Sequence, residues 1–279
     1  MRLPALVLVF ALAAVPALAD CTTELAFEGD FIQGGLVRGS APAGSRIYLD
    51  GAELRVGETG RFVMGFGRDH PGEARLWVIC PYGRDATLPL RVAAREYNIQ
   101  RIDGLPPKYV EPPAEVTDRI RLENETIAAA RRLDTPAPLF ESGFVWPAQG
   151  RISGVYGSQR ILNGAPKRPH YGVDIAAPLG TAVRAPAAGI VRLAEEDLYY
   201  TGGTIVLDHG YGLSSAFLHL QRLKVIVGQQ VAQGEIIATL GDSGRATGPH
   251  LDWRVNWFEE RLDPALLAGP FTAQTSSSQ

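Results

Sequence analysis

Cysteine is scarce in this chain: 279 residues contain two, Cys21 and Cys80, and neither has a histidine beside it. In an oxidising compartment a single bridge, rather than ligation or nucleophilic chemistry, is the expected use of the pair. Bridged, they would close a loop whose constraint amounts to about 4 kcal/mol in the chain-entropy model. Long apolar runs are missing too. The run at the start, Leu3 to Val15, falls short of the roughly 20 residues that a spanning helix needs, and no later stretch approaches that length, so no transmembrane segment is expected. There is no surplus of positive charge either. Lys and Arg number 27 against 30 Asp and Glu, and the absence of a basic stripe excludes nucleic acid as an expected partner. What remains is 46% hydrophobic with 31 glycines and 20 prolines, a turn-rich globular composition sufficient for two domains of ordinary size.

The start reads as a signal peptide over residues 1–19: Met1-Arg2, the apolar run, then Ala17-Leu18-Ala19 as a small-residue cleavage site. The mature chain is expected to begin at Asp20 and to be periplasmic or secreted. Asp20 stands directly before Cys21, where a lipid anchor would call for a small residue. Residues 20–95 show short alternating segments, such as Arg46-Ile47-Tyr48-Leu49 and Arg75-Leu76-Trp77-Val78-Ile79, separated by Gly, Pro and Asp-Gly turns. That spacing predicts a small β-sandwich in which Cys21 and Cys80 tie the first strand to a later one. Residues 96–143 read as a linker. It is Pro-rich around Pro106-Pro107 and Pro112-Pro113, then helical from Glu115 to Leu133, with opposite charges four apart at Arg119/Glu123 and Arg121/Glu125. Such a helix reads as a solvated spacer. Residues 144–269 are β-rich again, with Gly189 to Leu193, Thr204 to Asp208 and Glu235 to Leu240 as strands, and 270–279 form a disordered tail. The whole is mainly β.

Three of the five histidines stand in short segments of this last domain, two of which also hold a carboxylate: His170-Tyr171-Gly172-Val173-Asp174 and Pro249-His250-Leu251-Asp252, with Phe217-Leu218-His219-Leu220 as the third. On a strand, residues two apart share a face, so His250 and Asp252 would point to the same side. Imidazole and carboxylate on one face suit a divalent ion. His209, next to Gly210, reads as a turn residue and His70 as a loop residue. Arg160 is a weak candidate for substrate contact. Trp253 and Trp257 are expected to pack.

In order, His170 to Asp174, Gly180-Thr181-Ala182-Val183, Ala185-Pro186-Ala187-Ala188-Gly189, His209-Gly210-Tyr211-Gly212, Val227-Gly228-Gln229-Gln230-Val231 and Gly241 to Leu251 resemble the lysostaphin and LytM-type zinc endopeptidases of peptidoglycan, over about Val145 to Leu267. The resemblance implies a LytM-like antiparallel domain with a groove for an extended peptide. It implies Zn2+ held by His170, Asp174 and Asp252, with His219 and His250 as the catalytic pair. The family normally has a second His where Asp252 stands, and often a Tyr where Phe217 stands. The expected activity is hydrolysis of stem peptides or cross-links in peptidoglycan. The alternative is a catalytically silent relative that binds peptidoglycan or activates a cell-wall amidase.

Overall fold

The computed structural model describes residues 21–102 and 114–271. The expected signal peptide, the Pro-rich part of the linker and the tail from 272 onward lie outside the described residues. Turn residues cut the first part of the chain into short strands: β1 (Ala26–Glu28), β2 (Leu36–Ser40), β3 (Arg46–Leu49), β4 (Ala52–Leu54), β5 (Arg61–Gly65), β6 (Glu73–Ile79) and β7 (Ala86–Arg91). In β6 the two-residue period of a strand buries Ala74, Leu76 and Val78 and turns Arg75 and Trp77 outward. The strands form two antiparallel sheets, ordered β1-β2-β5 and β4-β3-β6-β7. Both contribute to one core that includes Val37, Ile47, Phe62, Met64, Leu76 and Val78. Cys21 and Cys80 are disulfide-bonded with their Cα atoms 6.1 Å apart. The bridge reaches a 3-10 turn, Cys21–Glu24, ahead of β1 rather than the first strand itself.

Two linker elements follow, β8 (Ile99–Ile102) and α1 (Thr117–Arg131), and then β9 (Arg151–Gly154), β10 (Gln159–Leu162), β11 (Ala165–Pro166), β12 (Val173–Ala176) and β13 (Ala182–Arg184). The long central strands are β14 (Gly189–Leu198), β15 (Gly202–Gly210) and β16 (Leu213–Leu223). After them come β17 (Gln230–Val231), β18 (Ile236–Leu240), β19 (His250–Trp257), β20 (Glu260–Leu262) and α2 (Pro264–Ala268). A ten-stranded sheet carries the path β17-β14-β15-β16-β19-β12-β9, with β13, β18 and β20 attached to it.

Strand β15 is buried along its whole length because both of its faces are covered. Ile205 and Leu207 join Phe217, Leu251, Trp253 and Val255 in the main core. Val206, one residue out of phase, points the other way and joins Leu193, Leu198, Ala216 and Leu218 beneath Ala130 and Ile127 of α1. The helix that reads as a solvated spacer is therefore docked on the sheet. Arg119 also pairs with Asp197 at 3.2 Å, and Glu123 accepts the Tyr199 N–H at 2.8 Å. The rest of the linker is anchored as well, since β8 pairs in parallel with β10. The two halves pack together: Val63 and Leu36 belong to the carboxy-terminal core, Arg68 donates to the Gly157 carbonyl at 2.9 Å, and Arg95 pairs with Asp263 at 2.9 Å. Among the described residues no helix is long and apolar enough to cross a membrane.

Candidate active site

Strands β12 and β19 are antiparallel neighbours in a register that sets Asp174 directly opposite Asp252. Like charges facing each other across a ladder repel. Here cations stand on both sides of the pair. His170 places Nε2 at 3.1 Å from Asp174 Oδ1 and 3.6 Å from Asp252 Oδ1. Arg254, two residues along β19, donates Nε to both Asp252 oxygens at 3.0 and 3.1 Å and Nη2 to Oδ2 at 2.5 Å. Asp252 is almost fully buried. Burial alone would raise its pKa, but the Arg254 guanidinium, and after it His170, hold the carboxyl well below the usual range. For His170, burial disfavours the charged ring, yet Asp174 and then Asp252 outweigh it and raise the pKa to about 10.

The ligand atoms of His170, Asp174 and Asp252 all lie within 4.8 Å of one another, a set that can hold a metal ion. His170 Nε2 and Asp174 Oδ1 are buried, and despite their short separation neither finds a hydrogen bond of acceptable geometry. Buried polar atoms left in that state are costly, and an ion accepting both lone pairs removes the cost. One imidazole nitrogen with carboxylate oxygens fits a divalent cation. His170 Nδ1 faces the Val155 carbonyl at 3.3 Å, which favours the tautomer with Nε2 unprotonated when the metal is bound. Two glycines make room for the carboxylates. A Cβ on Gly154 of β9 would lie 2.1 Å from Asp174 Oδ2, and one on Gly172 would lie 2.4 Å from Asp252 Oδ1.

His219 and His250 stand beside this set, with ring centroids 4.7 Å apart. His219 lies in β16 at φ 63°, a left-handed conformation costing roughly 1–3 kcal/mol for a non-glycine residue. Its N–H donates to the Thr201 carbonyl and its Nδ1 to the Ser243 carbonyl, both at 2.8 Å. Ser243 is itself fixed, donating Oγ–H to the Leu220 carbonyl and accepting the Gly203 N–H. His250 Nδ1 donates to the Gly248 carbonyl at 2.8 Å. In both rings that tautomer leaves Nε2 unprotonated while the ring is neutral. Burial lowers the His219 pKa and keeps that ring neutral.

The other sequence candidates fall elsewhere. His209 is a buried network residue rather than a turn: Nδ1 donates to the Ala188 carbonyl at 2.7 Å and Nε2 accepts from Ser215 Oγ at 2.8 Å. Trp253 is core, Trp257 packs between the two cores, and Phe217 is fully buried. Arg160 is exposed on β10. Sequence reasoning missed Arg254, although its spacing from Asp252 puts both on one face of the strand.

Comparison with known proteins follows the same residues. The sequence model of Peptidase family M23 matches residues 168–264, which contain all five residues. The crystal structure of a putative peptidase M23 from Pseudomonas aeruginosa is 30% identical, covering 86% of this chain and 96% of its own, with a TM-score of 0.66. The chain belongs to peptidase family M23. Two curated relatives of this M23 peptidase are the peptidoglycan DD-endopeptidase ShyA of Vibrio cholerae and the DD-carboxypeptidase/endopeptidase Mpg of Neisseria meningitidis. ShyA is 37% identical over 38% of this chain and 24% of its own length. Mpg is 33% identical over 40% of this chain and 26% of its own. The M23 chain thus matches about a quarter of the length of these relatives.

Proposed function

We propose that this chain is an exported, zinc-dependent endopeptidase that hydrolyses peptide bonds in peptidoglycan stem peptides or cross-links. The observation that carries the proposal is the convergence of His170 Nε2 with the Asp174 and Asp252 carboxylates within 4.8 Å, beside two histidines that both offer Nε2. The naming of ShyA as a peptidoglycan DD-endopeptidase supports the substrate class, and a wall substrate agrees with the export signal read in residues 1–19.

His170, Asp174 and Asp252 would hold the ion. Zinc bound there would supply Lewis acidity toward the scissile carbonyl and make water a stronger acid. The protein's part is proton handling and orientation. Neutral His219 accepts the proton as water attacks the carbonyl carbon, and the pair passes it to the departing amine nitrogen as the C–N bond breaks. His250, its Nδ1–H tied to the Gly248 carbonyl, holds the oxygen that gains charge when Nε2 also carries a proton. Asp252 adds a negative charge where the family carries a neutral imidazole, which by itself would blunt the ion's acidity. Arg254, locked onto Asp252, offsets that charge.

The test is release of soluble peptides from purified peptidoglycan with zinc, with a chelator, and by His250→Ala. Zinc-dependent release that falls about 10²–10⁴-fold in the variant is the expected result. No release by the folded, zinc-supplied chain would move the reading to a silent wall-binding relative.

A further inference from the structure

One cavity adjoins the metal-ligand cluster without belonging to it. About 300 Å³ in volume, it opens between α1 and the sheet, and its walls include Arg131, Arg168, Arg254 and Arg261. These four guanidiniums come from four separate segments: the end of α1, the loop before β12, β19 and β20. The acid on the cavity wall is Glu259, which lies 3.7 Å from Arg131 and is shared with Arg132 at 3.0 Å. The next carboxylate, Asp252, is engaged by Arg254 and the ligand cluster. Positive charge is thus in surplus here, in a protein whose formal net charge is −3.

The surplus is visible in the side chains. Arg131 is nine-tenths buried, and its Nε is a buried donor with no hydrogen-bond partner. Burial, reinforced by Arg131, Arg168 and Arg254, pushes Arg261 down to about 9. A group of guanidiniums held together against their own repulsion, one with an idle buried donor, is relieved by an anion. Arg168 and Arg261 both lie over the ring of Tyr171, at 5.5 and 5.9 Å, so the aromatic beside His170 braces two of the four. The remaining walls mix Thr201 and Thr204 with Ile127, Ala216 and Leu218. Apolar and hydroxyl surface beside a cation fork suits a carboxylate attached to a short aliphatic residue better than a bare inorganic ion.

We propose that this cavity is a subsite for a free carboxylate on the peptide being cut, with Arg131 and Arg261 as its main donors. The choice of a peptide carboxylate rests on the peptidase reading above. Arg254 joins the two sites, since the same guanidinium holds Asp252 and lines the cavity. Helix α1 then has a purpose beyond spacing the domains. Ile127 and Ala130 dock it on the sheet, and that docking delivers Arg131 to the cavity.

Binding and hydrolysis are measured separately on the full mature chain. Two short D-alanyl peptides, identical except that one ends in a carboxylate and the other in an amide, are titrated by calorimetry into the His250→Ala chain. The acid is expected to bind at least about tenfold more tightly, as charge-assisted arginine bonds imply. Arg261→Gln and Arg131→Gln should each erase most of that preference while leaving the amide's affinity unchanged. Equal binding of acid and amide by the unsubstituted cavity would overturn the subsite, whatever the variants do. So would inorganic phosphate that competes as tightly as the acid peptide, which would mark a site for free anions. Zinc-dependent hydrolysis with no acid preference sinks the subsite and leaves the peptidase. Acid preference without hydrolysis sinks the peptidase and leaves a carboxylate site.

Discussion

The amino-terminal sheets and the ten-stranded sheet are both antiparallel, but they bury different chemistry. The first encloses Val37, Ile47, Phe62, Met64, Leu76 and Val78, with Ser45 and Arg68 as its buried polar side chains. The second buries Thr204, Asp208, His209, Ser214, Ser215, His219, Asp252 and Asn256 on neighbouring strands. Burying such groups costs free energy unless each finds a partner, so a sheet that gathers them must gather their counterparts as well. Arg254 for Asp252, Ser243 for His219 and Ser215 for His209 are those counterparts. The first sheets rely instead on apolar packing and on one disulfide. A fold that needs only stability can leave polar groups outside. One that handles protons and an ion, as proposed for the ten-stranded sheet, cannot.

That contrast can be broken from either side. The largest stability effect is expected from the disulfide. Removing it by Cys21→Ser with Cys80→Ser opens a loop with a sequence separation of 59 and should cost the amino-terminal sheets about 4 kcal/mol, read by denaturant unfolding. Metal affinity should be unchanged below that transition. A next effect, of about 3 kcal/mol, belongs to His209 in the other half. Burial, against weaker opposition from the Ala188 carbonyl and Asp208, lowers its pKa from 6.5 to about 4. The unfolded chain therefore binds the proton first. The stability is fully present above about pH 6.5 and is lost as the pH falls toward 4. His209→Gln should flatten that slope, and an unchanged slope would remove the assignment. The smallest effect concerns space. Gly172→Ala forces a methyl against Asp252 and should weaken metal binding about tenfold, an effect of about 1.4 kcal/mol. Gly72→Ala, whose nearest neighbour would be 3.8 Å away, should change stability by less than about 0.5 kcal/mol.

The mainly β character was legible because strand alternation and turn residues are local signals, as in Ala74, Leu76 and Val78 of β6. The five candidate site residues could be named because they fall in three short segments, His170 to Asp174, Phe217 to Leu220 and Pro249 to Asp252. The pairing of Asp174 opposite Asp252 was not legible, since it depends on the register of two strands far apart in sequence. Without that register, neither the need for Arg254 nor the glycines at 154 and 172 could be read. The linker misled for a similar reason. Arg119, Glu123 and their neighbours look like a solvated face, and Ile127 and Ala130 show an inward side only once Val206 and Leu218 lie beneath them.

The central claim is that Asp252 is a working metal ligand. Titrating Zn2+ into the metal-free chain tests it most directly, with Asp252→Asn and His250→Ala beside it. The account predicts one ion per chain, an affinity that falls more than about a hundredfold in Asp252→Asn, and one that stays within about tenfold in His250→Ala. Full affinity in folded Asp252→Asn, or no binding by the unsubstituted chain, would contradict it.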